Sequence, residues 1–400
     1  MVIGMRVGIF YSGTSPESGG GHTYEQELLL SFLSIAHESH HEYVILSKID
    51  MAPVIKKCSQ DNLSNILVRG KPLNRIFLHY FFDGLFFSKL ALKFSRLNRI
   101  IKKNNLDMVV FLSPAPEVVE CPYIIPVWDL QHRLQPWFPE VSNNGIWDGR
   151  EKYSREMLRR AACIITGTSA GKEEISFFYS IPKSRIRIVP LPTPGYCLEN
   201  LPGKNRESLQ KFEISGEYLL YPAQFWSHKN HINAIHALEI LRREYNLPLS
   251  LVFVGSDAGN LSYVKKVASN QPVSEFIHFL GFVSHEDLIT LYQNASALVF
   301  PTFFGPDNLP PLEAFALGCP VIASNVSGAK EQLGDAALLV DPKNPAEIAR
   351  TIDMLFKNPS LRDTLLEKGY ARAHQWTGKD YVREIFSVLD EFEAIRTCWE

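Results

Sequence analysis

Short apolar segments rich in β-branched residues recur along this chain, and segments with helical periodicity separate them. The first set comprises MRVGIF, EYVILS, LDMVVFL, CPYIIPV, ACIITG and IRIVPLP. Continuous apolar strands joined by helices are typical of parallel sheets that are buried on both faces. The sequence therefore predicts an α/β fold built from βαβ units.

The alternation stops at residues 191–208, a polar stretch with prolines and glycines, and then starts again. The second set comprises EYLLYPA, LSLVFVG, FIHFLG, ASALVFPT, CPVIAS and AALLVD. The chain has 400 residues, and single domains usually have about 100–200. We therefore expect two facing Rossmann-like domains, at 1–197 and 198–376, with a ligand cleft between them. A C-terminal helix at 377–400 is expected to pack back on existing structure.

Composition limits the classes of function. A hydrophobic fraction of 46% and a net charge of −2 are typical of a globular protein with no general attraction to nucleic acid. The six cysteines include no C-x-x-C pair, so they predict neither a disulfide framework nor a zinc site. We find no signal-peptide pattern and no apolar run of about 18 residues. A cytoplasmic location is expected, with the inner face of the membrane as an alternative.

One segment between two predicted strands combines turn residues with a single glutamate. Residues 303–325 read FFGPDNLPPLEAFALGCPVIASN. The prolines suit the first turn of a helix, Asn308 can cap it, and Gly318 can end it. Glu313 then lies near a helix N-terminus at the carboxyl end of a strand, where parallel sheets bind ligands. The pattern alone indicates either a ligand contact or a complement to the helix dipole.

Longer segments in the second half resemble one enzyme family. LLYPAQFWSHKN, LVFVGSD, FIHFLGFVSHEDLITLYQNASALVFPTFFG and NLPPLEAFALGCPVIASNVSGAKEQLGDAALLVDP resemble the second domain of retaining family 4 glycosyltransferases of the GT-B fold, over residues 216–376. GGGHTYEQELLLSFL, IPVWDLQHRLQPWFP and CIITGTSAGKEEI resemble the first domain more loosely. The resemblance implies transfer of a sugar from a nucleotide-sugar to an acceptor with retained anomeric configuration. It also implies that the site needs no metal or other cofactor.

The resemblance assigns roles to residues of the donor site. It implies that Glu313 accepts hydrogen bonds from the ribose hydroxyls, and that Lys229 faces the diphosphate and offsets the charge of the leaving group. The triplet Gly19, Gly20 and Gly21 precedes a helical pattern. Its amides could cradle a phosphate, although a flexible turn is the alternative.

Two further residues belong to the acceptor side of the expected site. Asp129 and His132 follow the apolar segment YIIPV. By resemblance, we expect both to be catalytic together with Lys229. A structural histidine is the alternative for His132.

The chain departs from the family pattern in the donor-sugar loop. The family usually has an acid eight residues before the position of Glu313, and this chain has Gly305 there. We expect Asp307, Asn308 and the backbone around Leu309 to contact the donor sugar instead. Shaping the turn and capping the helix are the alternative roles of the two polar residues.

Other departures keep alternative functions open. Gln224 stands where an arginine often faces the diphosphate, and Trp128 where a histidine often precedes the aspartate. We expect Gln224 to contact the substrate, but a non-catalytic nucleotide-sugar binder stays an alternative. GTSAG matches the nucleophile elbow of a serine hydrolase that would use Ser169, with Asp257 and His374 following in the right order. A helix cap at Ser169 explains the same residues. The sequence contains no D-x-D pair, the pattern that would suggest a metal-bound diphosphate.

Residues 74–103 carry a basic and amphipathic helical pattern. In FFSKLALKFSRLNRIIKK the apolar residues share one helix face, and lysines and arginines share another. Such a helix either lies on an anionic membrane or buries its apolar face in the domain core. The expected partners are a UDP- or GDP-sugar and a glycan or lipid-linked acceptor, as in O-antigen or capsule biosynthesis. Peripheral membrane contact is an open alternative, and no nucleic acid is expected.

Overall fold

The computed structural model describes residues 4–58, 62–68, 95–114, 119–203 and 205–399. The strands of the first sheet are β1 (Arg6–Tyr11), β2 (Glu42–Ser47), β3 (Leu63–Leu67), β4 (Met108–Phe111), β5 (Tyr123–Pro126), β6 (Cys163–Thr166) and β7 (Ile186–Ile188). Those of the second sheet are β8 (Tyr218–Pro222), β9 (Ser250–Val254), β10 (Ile277–Phe279), β11 (Ala297–Phe300), β12 (Val321–Ser324) and β13 (Ala337–Val340). The predicted α/β class is confirmed.

Helices connect these strands. Those that follow strands of the first sheet are α1 (Gly20–Ile35), α2 (Ala52–Cys58), α3 (Arg96–Lys103), α4 (Gln131–Leu134), α5 (Pro139–Ser142), α6 (Ile146–Arg160), α7 (Ser169–Tyr179) and α8 (Gly195–Leu198). Those that follow strands of the second are α9 (His231–Glu244), α10 (Leu261–Ser269), α11 (His285–Asn294), α12 (Leu309–Ala316), α13 (Ala329–Leu333), α14 (Pro345–Lys357), α15 (Pro359–Gln375) and α16 (Gly378–Arg396).

The first strand of each sheet lies in the interior of that sheet and not at its edge. In the described residues the strand orders are β3-β2-β1-β4-β5-β6-β7 and β10-β9-β8-β11-β12-β13, and neighbouring strands are parallel. Where the order reverses, beside β1 and beside β8, the loops at the carboxyl ends diverge and leave a crevice. The loops after β1, β8 and β11 therefore border the two crevices. We call each sheet with its helices the N-terminal and the C-terminal domain.

The strands are buried because helices cover both faces of each sheet. β8, β9, β11 and β12 are buried at every position. The C-terminal domain has one large apolar cluster, whereas the N-terminal domain has one cluster on each face of its sheet. This burial on both faces explains why the strands are readable as continuous apolar runs.

The chain crosses between the sheets twice, and the two crossings are bonded to each other. The first crossing, between β7 and β8, contains α8 and the predicted boundary at residue 197. The second follows α15. Trp376 Nε1 donates to the carbonyl of Pro190 at 2.9 Å, and Thr193 N donates to the carbonyl of Trp376 at 3.3 Å.

The last helix, α16, returns to the N-terminal domain. It packs beside α1, where the hydroxyls of Tyr24 and Tyr381 lie 2.5 Å apart and the rings of Phe32 and Phe386 are in contact. A capping box formed by Thr377 and Asp380 begins the helix. The N-terminal domain thus includes the chain's last buried segment.

The predicted amphipathic helix at 74–103 lies outside the described residues as far as residue 94. Its described end, α3, buries Leu97 and Ile101 in a core cluster of the N-terminal domain. Membrane contact through the whole segment stays a prediction. Among the described residues, no helix is long and apolar enough to cross a membrane.

The packing of α16 gives a prediction about stability. Ile385 is 1% exposed in the cluster that α16 shares with α1. Replacing it by alanine should lower the free energy of unfolding by about 2–5 kcal/mol, since the deletion leaves a cavity. Denaturant unfolding would measure the loss. Ser387→Ala, on the exposed side of the same helix, should change the free energy of unfolding by no more than about 0.5 kcal/mol. Equal losses of stability in the two variants would contradict this packing of α16.

Candidate active site

The glycine triplet after β1 lies against the C-terminal domain across the cleft. A Cβ placed on Gly19 would lie 3.4 Å from Gln224 Cδ, and one on Gly20 would lie 3.7 Å from Leu309 Cδ1. A Cβ on Gly21 would lie 3.2 Å from the ring of Trp128. Gly19 has φ of 66°, which glycine adopts without steric cost. The structure therefore brings the triplet together with two residues predicted on the opposite wall.

Gln224 joins the two walls directly. Its Nε2 donates to the carbonyl of Glu17 at 2.8 Å and to Ser256 Oγ at 3.0 Å, and its Oε1 accepts from Trp226 Nε1 at 3.1 Å. The amide thus holds the loop that precedes α1. Its predicted contact with substrate stays a prediction.

A buried glutamate on α1 holds the chain that leads into the triplet. Glu25 is fully buried, and it accepts hydrogen bonds from Ser12 N at 2.6 Å, Ser12 Oγ at 2.7 Å and Ser113 Oγ at 2.8 Å. These bonds tie the end of β1 to the first turns of α1. Glu25 was not predicted from the sequence, although an acid within an apolar helix is a usable signal.

Lys229 and Asn308 meet at the centre of the cleft. Lys229 ends a short 3-10 helix after β8, and its Nζ donates to Asn308 Oδ1 at 3.2 Å. The amine also lies 5.1 Å from the ring centroid of Phe300. Burial lowers the pKa of Lys229 to about 8, although Asp129 and Glu140 favour its charge. A half-buried cation at this place is suited to an anionic ligand.

The start of α12 differs from the predicted helix cap. Asn308 occupies the N-cap position, but its side chain accepts no hydrogen bond from the helix. Instead its Nδ2 donates to the carbonyl of Gly305 at 3.0 Å, while its backbone N–H donates to Gln332 Oε1 at 2.9 Å. Gly305 has φ of 136°, and a Cβ there would lie 2.6 Å from Asn308 Nδ2. The loop conformation therefore favours glycine where the family has an acid.

Glu313 lies beyond the first turn of α12 and is 5% exposed. Its Oε1 accepts from the hydroxyl of Tyr196 at 2.7 Å, and its Oε2 accepts from that of Tyr292 at 2.7 Å. Burial raises the pKa of Glu313, whereas the two phenols lower it. A simple complement to the helix dipole does not account for this pair of donors. Neither tyrosine was predicted. Tyr196 and Tyr292 are 117 and 21 residues away from Glu313 in the sequence, and no local pattern links residues so far apart.

Asp307 reaches from the C-terminal domain to the N-terminal domain. Its carboxyl group lies against the backbone of Gly167 after β6, and a side chain at that glycine would overlap Asp307 Oδ2. Burial, together with the charges of Asp129 and Glu331, raises the pKa of Asp307 to about 7. Asp307 also lines a cavity of about 320 Å³ between the domains. It is placed to contact a ligand held by both walls.

The two acceptor-side residues have different surroundings. Asp129 is partly exposed, accepts from Gln131 N at 2.8 Å and is paired with Arg150. His132 is 1% exposed, and its Nε2 lies 3.0 Å from the hydroxyl of Tyr179. Burial, with the charge of Arg150, lowers the pKa of His132 to about 4. The structure thus brings Asp129 near Lys229 and encloses the ring of His132 within the N-terminal domain.

A hydrogen-bonded histidine and glutamate join the two domains beside Lys229. His228 Nδ1 lies 2.5 Å from Glu140 Oε1, and the two side chains are 12% and 6% exposed. Burial raises the pKa of Glu140, but the hydrogen bonds from His228 lower it more. Phe138 stacks on Phe303 beside this pair. This contact was not predicted from the sequence, because it joins residues 88 positions apart.

The residues of the alternative hydrolase site are not brought together. Ser169 Oγ donates to Glu331 Oε2 at 2.6 Å. Asp257 accepts from Gly259 N, whereas His374 Nδ1 lies 2.8 Å from the carbonyl of Tyr370. The cap of α7 is Thr168, whose Oγ1 accepts from Gly171 N at 3.1 Å, rather than Ser169.

Among the described residues, one group has the geometry for three metal ligands, namely His40, His41 and Asp390. The backbone N–H of Met5 donates to His41 Nδ1 at 3.1 Å. The neutral ring therefore carries its proton on Nε2, which lies 3.1 Å from Asp390 Oδ1. A protonated nitrogen cannot bind a metal, so the group is better described as a contact between a neutral histidine and Asp390 that ties α16 to the chain at the starts of β1 and β2.

Comparisons with known proteins identify the C-terminal half. The family profile described as Glycosyl transferases group 1 matches residues 204–372. O-antigen chain mannosyltransferase B of Escherichia coli is 29% identical over 228 residues, which are 57% of this chain and 60% of that protein. D-inositol 3-phosphate glycosyltransferase of Frankia alni is 27% identical over 237 residues, 56% of this chain and 58% of the relative. The matches thus span less than two thirds of the length of these relatives.

Solved structures with this fold cover nearly the whole chain. A sucrose-phosphate synthase from Thermosynechococcus elongatus has a TM-score of 0.73 at 16% identity, over 98% of this chain and 100% of its own. WaaG, a glycosyltransferase involved in lipopolysaccharide biosynthesis, has a TM-score of 0.66 at 16% identity over the same shares. These likenesses confirm the predicted GT-B fold. Residues 204–372 are thus similar to the glycosyl transferases group 1 family, within a chain that has the GT-B fold.

Proposed function

We propose that this protein is a retaining glycosyltransferase that moves a sugar from a nucleotide-sugar donor to a glycan or lipid-linked acceptor. The observation that supports this most is the placement of three groups after the strands that border the crevices: the carboxylate of Glu313 after β11, the amine of Lys229 after β8 and the glycine triplet after β1. Each supplies what one part of a nucleoside diphosphate needs.

The nucleoside end of the donor would bind at Glu313. An ionised carboxylate has about four acceptor positions, and the hydroxyls of Tyr196 and Tyr292 take one on each oxygen. The remaining positions can accept from the two hydroxyls of a ribose. Charge-assisted bonds of this kind are stronger than neutral ones.

The diphosphate would lie between Lys229 and the first turn of α1. The backbone N–H groups of a helix N-terminus favour an anion, and the amine adds a full positive charge. As the bond between the sugar carbon and the phosphate oxygen breaks, its electron pair passes to the diphosphate. Lys229 offsets that charge, while the acceptor hydroxyl attacks the same face and gives its proton to the departing phosphate. We propose that no metal takes part.

The relatives support a role in surface polysaccharide synthesis. O-antigen chain mannosyltransferase B and Serotype-specific mannosyltransferase WbdA, both of Escherichia coli, are 29% and 26% identical to parts of this chain. We infer a mannosyl donor, with an O-antigen or capsule precursor as acceptor. Because the usual acid at Gly305 is missing, a non-catalytic nucleotide-sugar binder is the second outcome to be tested.

A thermal-shift screen tests the proposal. UDP-, GDP-, ADP- and dTDP-sugars, with GDP-mannose first, should include one ligand that raises the melting temperature. A ligand at 100 times its Kd adds about 2.7 kcal/mol to the stability of the native state. Sugar transfer by that donor should persist in EDTA. If no donor shifts the melting temperature, the proposal is wrong, and binding without transfer would indicate the non-catalytic binder.

The first prediction of this site concerns Glu313. Glu313→Gln keeps the size of the side chain but removes its charge, so nucleoside diphosphate binding should weaken by about 1.5–3 kcal/mol. Calorimetry measures the change. Glu286→Gln, at an exposed position, is the matched control and should bind normally. Equal affinities for both variants would exclude Glu313 from the nucleotide site.

The second prediction concerns Lys229. Lys229→Ala should lower kcat about 10²-fold or more with the fold intact, since one preorganised charge is lost from the transition state. Lys266→Ala, at an exposed position, should keep full activity. A fully active Lys229→Ala variant would refute the role.

The pKa of Lys229, about 8 in the free protein, adds a pH dependence. Below this value the amine is charged, and above it the amine is neutral and attracts the diphosphate less. Nucleoside diphosphate affinity should therefore fall as the pH rises through 8. The side chain in Lys229→Arg keeps its charge in this pH range. The affinity of this variant for the nucleoside diphosphate should therefore not change with pH.

The third prediction concerns Asp307. If Asp307 binds the donor sugar, Asp307→Ala should lower kcat/KM about tenfold or more, the scale of one lost hydrogen bond to a charged group. Its affinity for the bare nucleoside diphosphate should change little, because only the sugar end loses a partner. If both quantities fall together with the melting temperature, Asp307 is a structural turn residue.

A further inference from the structure

Tyr196 lies where the crossing between the domains is attached on two sides. It belongs to α8, and the N–H of the preceding Gly195 donates to Glu27 Oε2 on α1 at 2.7 Å. Three residues before Tyr196, Thr193 N donates to the carbonyl of Trp376 in the second crossing. α8 also packs in the apolar cluster of the C-terminal domain through Cys197, so this short helix is attached to both domains.

The side chain of Tyr196 reaches into the C-terminal domain. Its hydroxyl donates to Glu313 Oε1 at 2.7 Å, and its ring stacks on His285 with centroids 4.4 Å apart and planes 3° apart. His285 begins α11, and Tyr292 on the same helix donates to Glu313 Oε2 at 2.7 Å. One donor to Glu313 thus comes from the crossing, and the other from the C-terminal domain itself.

The two donors differ in their attachment to the N-terminal domain. Tyr292 lies in the apolar cluster of the C-terminal domain and is hydrogen-bonded to Glu313. Tyr196 packs against the same cluster, but its helix α8 is also bonded, through Gly195, to Glu27 on the helix that begins at the glycine triplet. Only with both donors in place does the carboxylate have a single orientation, with its remaining acceptor positions fixed.

We propose that Tyr196 is a positioning residue that makes nucleotide binding at Glu313 depend on the placement of the two domains. The inference rests on the proposed function, because it takes Glu313 as the contact for the ribose of a nucleoside diphosphate. The connection runs from α1 through Glu27 and Gly195 to the hydroxyl of Tyr196. It links the end of the ligand that holds the phosphates to the end that holds the nucleoside.

The experiment compares a variant that lacks the hydroxyl of Tyr196 with a variant that lacks the bond between Glu27 and Gly195. Tyr196→Phe keeps the ring on His285 and should raise the Kd of UDP or GDP, whichever binds the wild type, about tenfold, as for a bond to a charged group. KM for the nucleotide-sugar should rise equally, with kcat within about twofold. Glu27→Ala should also raise the Kd, and the double variant should match Tyr196→Phe alone.

Two controls separate positioning from stability. Tyr263→Phe, at an exposed tyrosine, should bind like the wild type. In a Glu313→Gln background, Tyr196→Phe should add nothing to the Kd, because its effect passes through the carboxylate. A fall in melting temperature with an unchanged Kd would overturn the inference, since it would show a structural role only.

The outcomes distinguish the inference from the proposed function. If the wild type binds a nucleoside diphosphate and Tyr196→Phe binds it equally well, the inference is wrong and the function stands. If Tyr196→Phe weakens binding but Glu27→Ala does not, the dependence on domain placement is wrong. If the wild type binds none of the nucleoside diphosphates, both proposals fail.

Discussion

The strand order of the two sheets is the constraint on which the site depends. Parallel strands place their carboxyl ends at one edge, and each sheet adds strands on both sides of its first strand. The loops that leave β1, β8 and β11 therefore separate from their neighbours and open toward the other sheet. Without that reversal the glycine triplet, Lys229 and Glu313 would be covered by helices on their own sheets.

The charges in the cleft are partly deprived of water before any ligand arrives. Burial moves the pKa of Lys229 down and those of Asp307 and Glu313 up, so each shift opposes the charged form. The phenols beside Glu313 and the amide beside Lys229 offset part of that cost. A ligand of complementary charge would recover more of it, which is why such groups mark binding sites more often than surface charges do.

The sequence predicts the features that depend on short-range patterns. Buried strands appear as apolar runs, and Asn308 was picked out by the turn residues that precede a helical pattern. Lys229 and Gly305 were picked out by the resemblance to a known family. Contacts between distant segments carry no such pattern, and so the donors to Glu313 and the Glu140–His228 pair were missed. Local rules also failed where a tertiary partner competes, as at Asn308, whose side chain bonds Lys229 and Gly305 instead of the helix. His132 follows a strand as expected, but its burial could not be read from the sequence.

The return of α16 to the N-terminal domain affects the order in which the chain folds during synthesis. The buried side chains of this helix complete a core that otherwise consists, apart from Leu309, of residues from the first half of the chain. The ribosome makes the whole C-terminal domain before it makes α16. The later-made domain can therefore reach its final packing first, while the earlier-made one waits with an apolar surface uncovered. Chaperones that bind nascent chains would have most to protect in that interval.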